Sequence, residues 1–170
     1  MCITEHHDYD ISEPFDAISR KEKFPIIRGM EYKAKEGHLL VYGVNMGRGD
    51  MPAQMPMQQV IDWVMQKGGV AIPAHPYQPD MFGACLGDRL CELKHLVAVE
   101  ACNGSASETE NQQAFNRAKK MGWGCVGGSD AHGPDHIGKA YTLFPGEVKT
   151  VQQLVRALKT KDYHPGSERR

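Results

Sequence analysis

Residues 57–76 read MQQVIDWVMQKGGVAIPAHP, and this stretch decides the fold class. Met57, Val60, Ile61, Val64 and Met65 fall at i, i+3, i+4, i+7 and i+8, the spacing of a helix with one buried face. Gly68 and Gly69 end it. Val70, Ala71 and Ile72 then make a short apolar run of the kind found in buried strands. A helix that leads directly into a buried strand is one unit of an α/β domain, and similar units lie on both sides of it.

Upstream, residues 1–4 read as a strand stub and residues 26–30 as a strand. Residues 39–44, Leu-Leu-Val-Tyr-Gly-Val, form an uninterrupted apolar strand. Downstream, residues 96–99 predict a strand and residues 107–121 a helix. Ser107 and Glu110 have capping-box spacing at its start, and Gly122 stops it. Residues 124–126 predict a strand running into Gly127 and Gly128, and residues 140–144 a last strand. Thr150 caps a final helix with Val151, Leu154, Val155 and Leu158 on its buried face. The alternation predicts an α/β domain over residues 1–164 with a mainly parallel sheet. The polar residues 165–170 are expected to fray.

Composition narrows the function. In 170 residues, 20 Lys and Arg nearly balance 21 Asp and Glu, for a net charge of -1. Non-specific nucleic-acid binding needs an excess of cations at phosphates, so no strong nucleic-acid signature is present. With 41% hydrophobic and 24% charged residues the chain has the make-up of one globular domain. No apolar run approaches the ~20 residues that span a bilayer, and no signal peptide is visible. Cys2, Cys85, Cys91, Cys102 and Cys125 contain no CxxC pair. They read as free thiols, most of them buried, which suits a cytoplasmic setting.

Histidines and carboxylates collect where these strands begin and end. Ile3-Thr4 leads to His6, Ile26-Ile27 to Glu31, Ala71-Ile72 to His75, and Cys125-Val126 to Asp130 and His132, while His38 opens residues 39–44. In parallel α/β domains strand ends meet on one rim. His6, Glu31, His38, His75, Asp130 and His132 are therefore expected to meet in space. Imidazole with carboxylate suits zinc, manganese and iron, and several such ligands on one rim suit a hydrolytic centre of two or three metals. Alone, each has a plainer reading. Glu31 pairs with Lys33 or Lys35 at the surface, His38 is solvated, and Pro76 stiffens a turn with His75 extended. Asp130 and His132, two apart, point to one side if that segment is extended. His7 becomes a neighbouring ligand if the register shifts by one; His95, His136 and His164 are read as ordinary polar residues.

In order along the chain stand Ile3-Thr4-Glu5-His6, Gly29-Met30-Glu31, residues 37–43 (GHLLVYG), Ala74-His75-Pro76, residues 100–104 (EACNG) and residues 128–132 (GSDAH). Together these resemble the PHP (polymerase and histidinol phosphatase) family of metal-dependent phosphoesterases. The resemblance implies a distorted barrel of seven strands with helices outside, and a rim site for up to three metal ions. It implies that Glu31 bridges two metals, that His38 and His75 complete the site shared with Glu31, and that Asp130 and His132 are ligands of the last motif. It implies hydrolysis of a phosphate ester by a metal-activated water.

The family's first motif, a His-x-His, occurs nowhere in this sequence. The expectation is an incomplete barrel whose first strand and helix are missing, with fewer metals than the family holds. The Glu31, His38 and His75 site survives, and the site Asp130 shares with the missing pair is crippled. An open barrel edge then invites self-association. Beside His75 stands Pro76-Tyr77 rather than Arg, leaving Lys33, Arg48 and Arg89 as the nearest phosphate partners. The leading expectation is a phosphoesterase acting on a small phosphorylated substrate, a nucleotide or an oligonucleotide end. The alternatives are a degenerate domain that binds metal or a partner without turnover, and a hydrolase of C–N bonds.

Overall fold

The computed structural model describes residues 1–6, 8–47 and 49–168. His7 and Arg48, both weighed above, lie outside the described residues.

The strands are β1 (Cys2–Ile3), β2 (Ile27–Arg28), β3 (Met30–Lys33), β4 (His38–Tyr42), β5 (Val70–Pro73), β6 (Ala98–Asn103), β7 (Gly124–Gly128), β8 (Ala140–Leu143) and β9 (His164–Ser167). The helices are α1 (Pro14–Glu22), α2 (Met57–Gln66), α3 (Glu108–Met121) and α4 (Val151–Thr160). β1 with β2 and β6 with β7 are parallel. β3, β4 and β5 form an antiparallel meander, and β8 with β9 is antiparallel. The sheet is therefore not mainly parallel as expected. The turn between β3 and β4, closed by Ala34 N–H to Gly37 O at 2.8 Å, is far too short for the crossover that a parallel pair requires. The described strands form four separate ladders, and no closed barrel runs through them.

β4, β6 and β7 are apolar on both faces, and the packing shows why. Leu39 and Val41 of β4 face a core built with Met57, Val60 and Val64 of α2 and Leu90. Leu40 and Tyr42, one residue out of phase, face a second core with Ile72, Leu154 and Leu158. Val99 and Ala98 of β6 divide the same way, as do Cys125 and Val126 of β7. The period-2 alternation thus feeds two cores, one under α2 and α3 and the other under α4.

Helix ends follow their sequence signals. α3 carries the Ser107–Glu110 capping box and closes on Gly122 at φ 69°. α4 has a capping box from Thr150 and Gln153. α2 lacks a side-chain cap of its own; Glu36 Oε2 accepts its Met57 N–H at 2.8 Å instead.

Two elements differ from expectation. The tail does not fray at Pro165: residues 164–167 pair with β8, Leu143 opposite His164 and Ala140 opposite Ser167. α1, unmarked by periodicity, buries none of its residues. All five cysteines remain thiols, as expected, but Cys125 alone among them is buried. No described helix is long and apolar enough to cross a membrane.

Candidate metal centre

The sheet itself assembles the first part of the site. Glu31 sits mid-strand in β3, and its N–H bonds to Glu5 O at 3.0 Å, which brings His6 alongside in a parallel bridge. His38 starts β4, the next strand over. Ala74 N–H bonds to His38 O at 3.0 Å, which places His75 beside His38 just past the end of β5. Hydrogen-bonded strands lie ~5 Å apart, so three side chains on one rim of such a meander converge.

They do converge. Glu31 Oε1 lies 2.8 Å from His38 Nδ1 and 3.2 Å from His75 Nε2. Glu31 Oε2 lies 3.5 Å from His6 Nδ1. The ring of His38 stands 5.3 Å from that of His75 and 5.8 Å from that of His6. Glu31 is buried and turned to these imidazoles, not paired at the surface with Lys33 or Lys35. His38 is half-buried rather than solvated.

Asp130 and His132 arrive from the turn after β7. The ring of His132 is 6.2 Å from that of His6. Its Nδ1 is 3.1 Å from the Asp130 carbonyl and 3.7 Å from the Asp130 carboxylate. The segment is not extended: Asp130 has φ 49°, in the left-handed region. His75 likewise has φ 27° instead of the extended geometry that a following proline favours. Non-glycine residues are rarely found there, and such strain concentrates at functional sites. All six expected residues thus gather on one rim, in a buried group and a more open one.

Sequence reasoning missed Glu100 and Asn103 as parts of this site. Glu100 lies 4% exposed in β6, and its Oε2 accepts the His75 N–H at 2.8 Å and Asn103 Nδ2 at 3.0 Å. The signal was a carboxylate inside the apolar run Ala98-Val99-Glu100-Ala101, where a charge must find partners.

The electrostatics follow from this packing. Burial alone would raise the Glu31 carboxyl, but the contacts with His38 and His75 outweigh it and hold it well below the usual carboxylate range. For Glu100 burial wins over His75 and Asn103, and the carboxyl is pushed up to about 7. Burial lowers His75, yet the neighbouring Glu31, Glu100 and Asp130 carboxylates leave it raised overall.

These residues fit a divalent metal. One ligand atom from each of Glu31, His38 and His75 can be chosen so that all lie within 4.8 Å of one another. Buried His38 Nδ1 lies 2.8 Å from Glu31 Oε1, so imidazole and carboxylate already face one another across the point where these ligand atoms meet. An anionic oxygen with imidazole nitrogens, partly stripped of water, is the donor set of zinc, manganese or iron sites.

The expected phosphate partners do not all face this rim. Arg89 donates to the Cys85 and Leu86 carbonyls and lines a separate cleft of about 510 Å³ with Glu36, Asp62 and His95. Lys33 is exposed. His136 lies in a short helical turn and His164 in β9, both exposed.

Residues 108–162 match the family described as PHP-associated. An uncharacterized protein of Methanocaldococcus jannaschii is 27% identical over 103 residues, 61% of this chain and 57% of that protein. The match thus spans little more than half of that relative. PsfC of Pseudomonas syringae superposes with a TM-score of 0.68 at 16% identity, covering 99% of this chain and 76% of PsfC. A two-domain protein of Bacteroides vulgatus, containing a predicted PHP-like metal-dependent phosphoesterase, superposes with a TM-score of 0.66 at 17% identity. The match covers 98% of this chain and 55% of that protein. An amidohydrolase of Chromobacterium violaceum, with bound sulfate and no metal, gives a TM-score of 0.63 at 13% identity over 92% of this chain and 85% of that one. At these identities the structures establish a shared fold. The family match covers about a third of this chain, and the structures add a shared fold across nearly all of it.

Proposed function

On the premise of a PHP-family domain, we propose that Glu31, His38 and His75 hold a divalent metal and that the chain is a metal-dependent phosphoesterase acting on a small phosphorylated substrate. The observation that carries this is the convergence of a buried carboxylate and two imidazoles, each offering a ligand atom within 4.8 Å of the others. Zinc, manganese or iron suits that set. A bound metal supplies Lewis acidity toward water and a phosphoryl oxygen. The chain's own residues do the rest. Glu31 faces His6 and His38 at once, so its carboxylate is placed to serve ligands on both sides. Asp130 and His132 stand on the His6 side of this cluster and would hold substrate or a further ion there. β1 is paired with β2 alone among the described strands, and its other edge is a place for a second copy of this chain.

The second reading, a domain that binds metal or a partner without turnover, draws on the absence of a His-x-His pair from this sequence. A panel of phosphate mono- and diesters together with amides separates the readings. Protein loaded with Mn2+, Fe2+ or Zn2+ should hydrolyse phosphate esters, and Glu31→Gln should abolish that activity. Stoichiometric metal without turnover of any ester would establish the second reading, and turnover of amides alone would establish C–N hydrolysis.

A further inference from the structure

Glu100 and Asn103 are buried polar residues beneath the rim, and the proposed hydrolysis gives neither a task. We propose that Glu100 is a positioning residue: with Asn103 it forms a bracket that holds His75 and Asp130, on two separate turns, at the spacing the metal centre needs. This rests on the metal-site reading above.

His75 has φ 27°, which side chains rarely adopt, and its N–H is aimed at Glu100 Oε2, 2.8 Å away. That bond fixes the residue whose Nε2 reaches Glu31. The same Oε2 accepts from Asn103 Nδ2, which also lies 3.4 Å from Asp130 Oδ2. Asn103 cannot turn away, because its Oδ1 accepts the N–H groups of Ser105 and Ala106 at 2.7 and 3.1 Å. The amide is thereby oriented with its nitrogen toward both carboxylates.

Two features of the backbone serve the same end. The β6–β7 register shifts between Glu100 and Cys102, and such irregularities re-aim side chains beside functional sites. Gly128 pairs with Asn103 across the ladder, and an added Cβ there would come within 2.7 Å of Glu100 Oε1. A methyl group there would push on that oxygen while leaving the charge of the carboxylate in place.

Co2+ titration followed by visible absorption tests the bracket, with metal-free melting curves as the control for folding. Glu100→Ala should weaken Co2+ by about 10- to 100-fold, the usual cost of losing an outer partner of a metal ligand. Its absorption bands should shift, a change that a merely structural role would not produce. Glu100→Gln keeps an oxygen for the His75 N–H and should return both affinity and spectrum close to wild type. Gly128→Ala should weaken binding in the same direction by a smaller factor, and it decides the matter if Glu100→Ala does not fold. Folded Glu100→Ala or Gly128→Ala protein with wild-type affinity and spectrum would overturn the bracket while leaving the metal site standing. Glu100→Gln as weak as Glu100→Ala would overturn positioning in favour of charge alone. Wild-type protein that takes up no Co2+ would overturn the metal-site reading and this inference with it.

Discussion

Glu31, His38 and His75 differ from His6 and His132 less in chemistry than in what holds them. The first three side chains are 8%, 27% and 18% exposed. His6 is 44% exposed and His132 71%. The buried three stand on, or two residues past, neighbouring strands of a single meander, so ladder hydrogen bonds set their spacing. His132 hangs four residues beyond β7, on a turn that also bends Asp130 into the left-handed region. A site built on a sheet spends little side-chain entropy when a ligand arrives, whereas one built on a turn must first be ordered. The buried half is therefore the part that should bind metal unaided.

The largest effect should come from beneath the buried half. Leu39 follows His38 and is fully buried against Met57, Val60 and Val64. Leu39→Ala should destabilise the protein by about 2–5 kcal/mol, the range for such cavities. Ile137, in the turn after His132, is 59% exposed, and Ile137→Ala should stay within about 0.5 kcal/mol. Urea unfolding of the two variants measures the contrast. Equal losses would mean that the two halves are equally embedded.

Metal itself should come next. Elemental analysis after dialysis should find metal in the wild type and not in His75→Ala, with affinity reduced more than the ~10- to 100-fold expected for an outer-shell change. Where free metal stands at 100 times the dissociation constant, binding stabilises the fold by about 2.7 kcal/mol. A chelator should therefore lower the melting temperature of the wild type by roughly 5–10 °C, given ~2–4 °C per kcal/mol for a chain of this size. His75→Ala should show no such drop. A chelator that leaves wild-type melting unchanged would break the comparison, because neither half would then hold metal.

The sequence made one half of this picture easier to see than the other. α2, α3 and α4 were legible because 3.6-residue periodicity and cap residues are local properties. Five of the six rim residues were legible because strand ends can be located from apolar runs; Glu31, expected just past a strand, lies inside β3 instead. Strand direction was not, since an apolar run reports burial and says nothing of its partner's polarity. β9 was hidden because His-Pro-Gly-Ser lacks strand propensity, and it pairs only because β8 lies alongside. Glu100 stood in a quoted motif, but its task depends on a backbone N–H donated from a turn 25 residues earlier. Pairings of that kind belong to tertiary structure.

The smallest effect should come from His132→Ala. Its imidazole is mostly in solvent, and its Nδ1 lies 3.1 and 3.7 Å from oxygens of Asp130, two residues back. Its removal leaves the Glu31–His38–His75 contacts in place, so stability should change by no more than about 0.5 kcal/mol. Metal content should match the wild type, and so should the loss of melting temperature on chelation. Turnover of a phosphate ester is the quantity that can still fall, because His132 stands on the His6 side of the cluster. A drop in turnover at constant metal content would make the open half a substrate or second-ion site resting on a pre-formed centre. Should His132→Ala strip the metal as His75→Ala does, the two halves form one cooperative site, and the difference in their burial has no bearing on how metal is held.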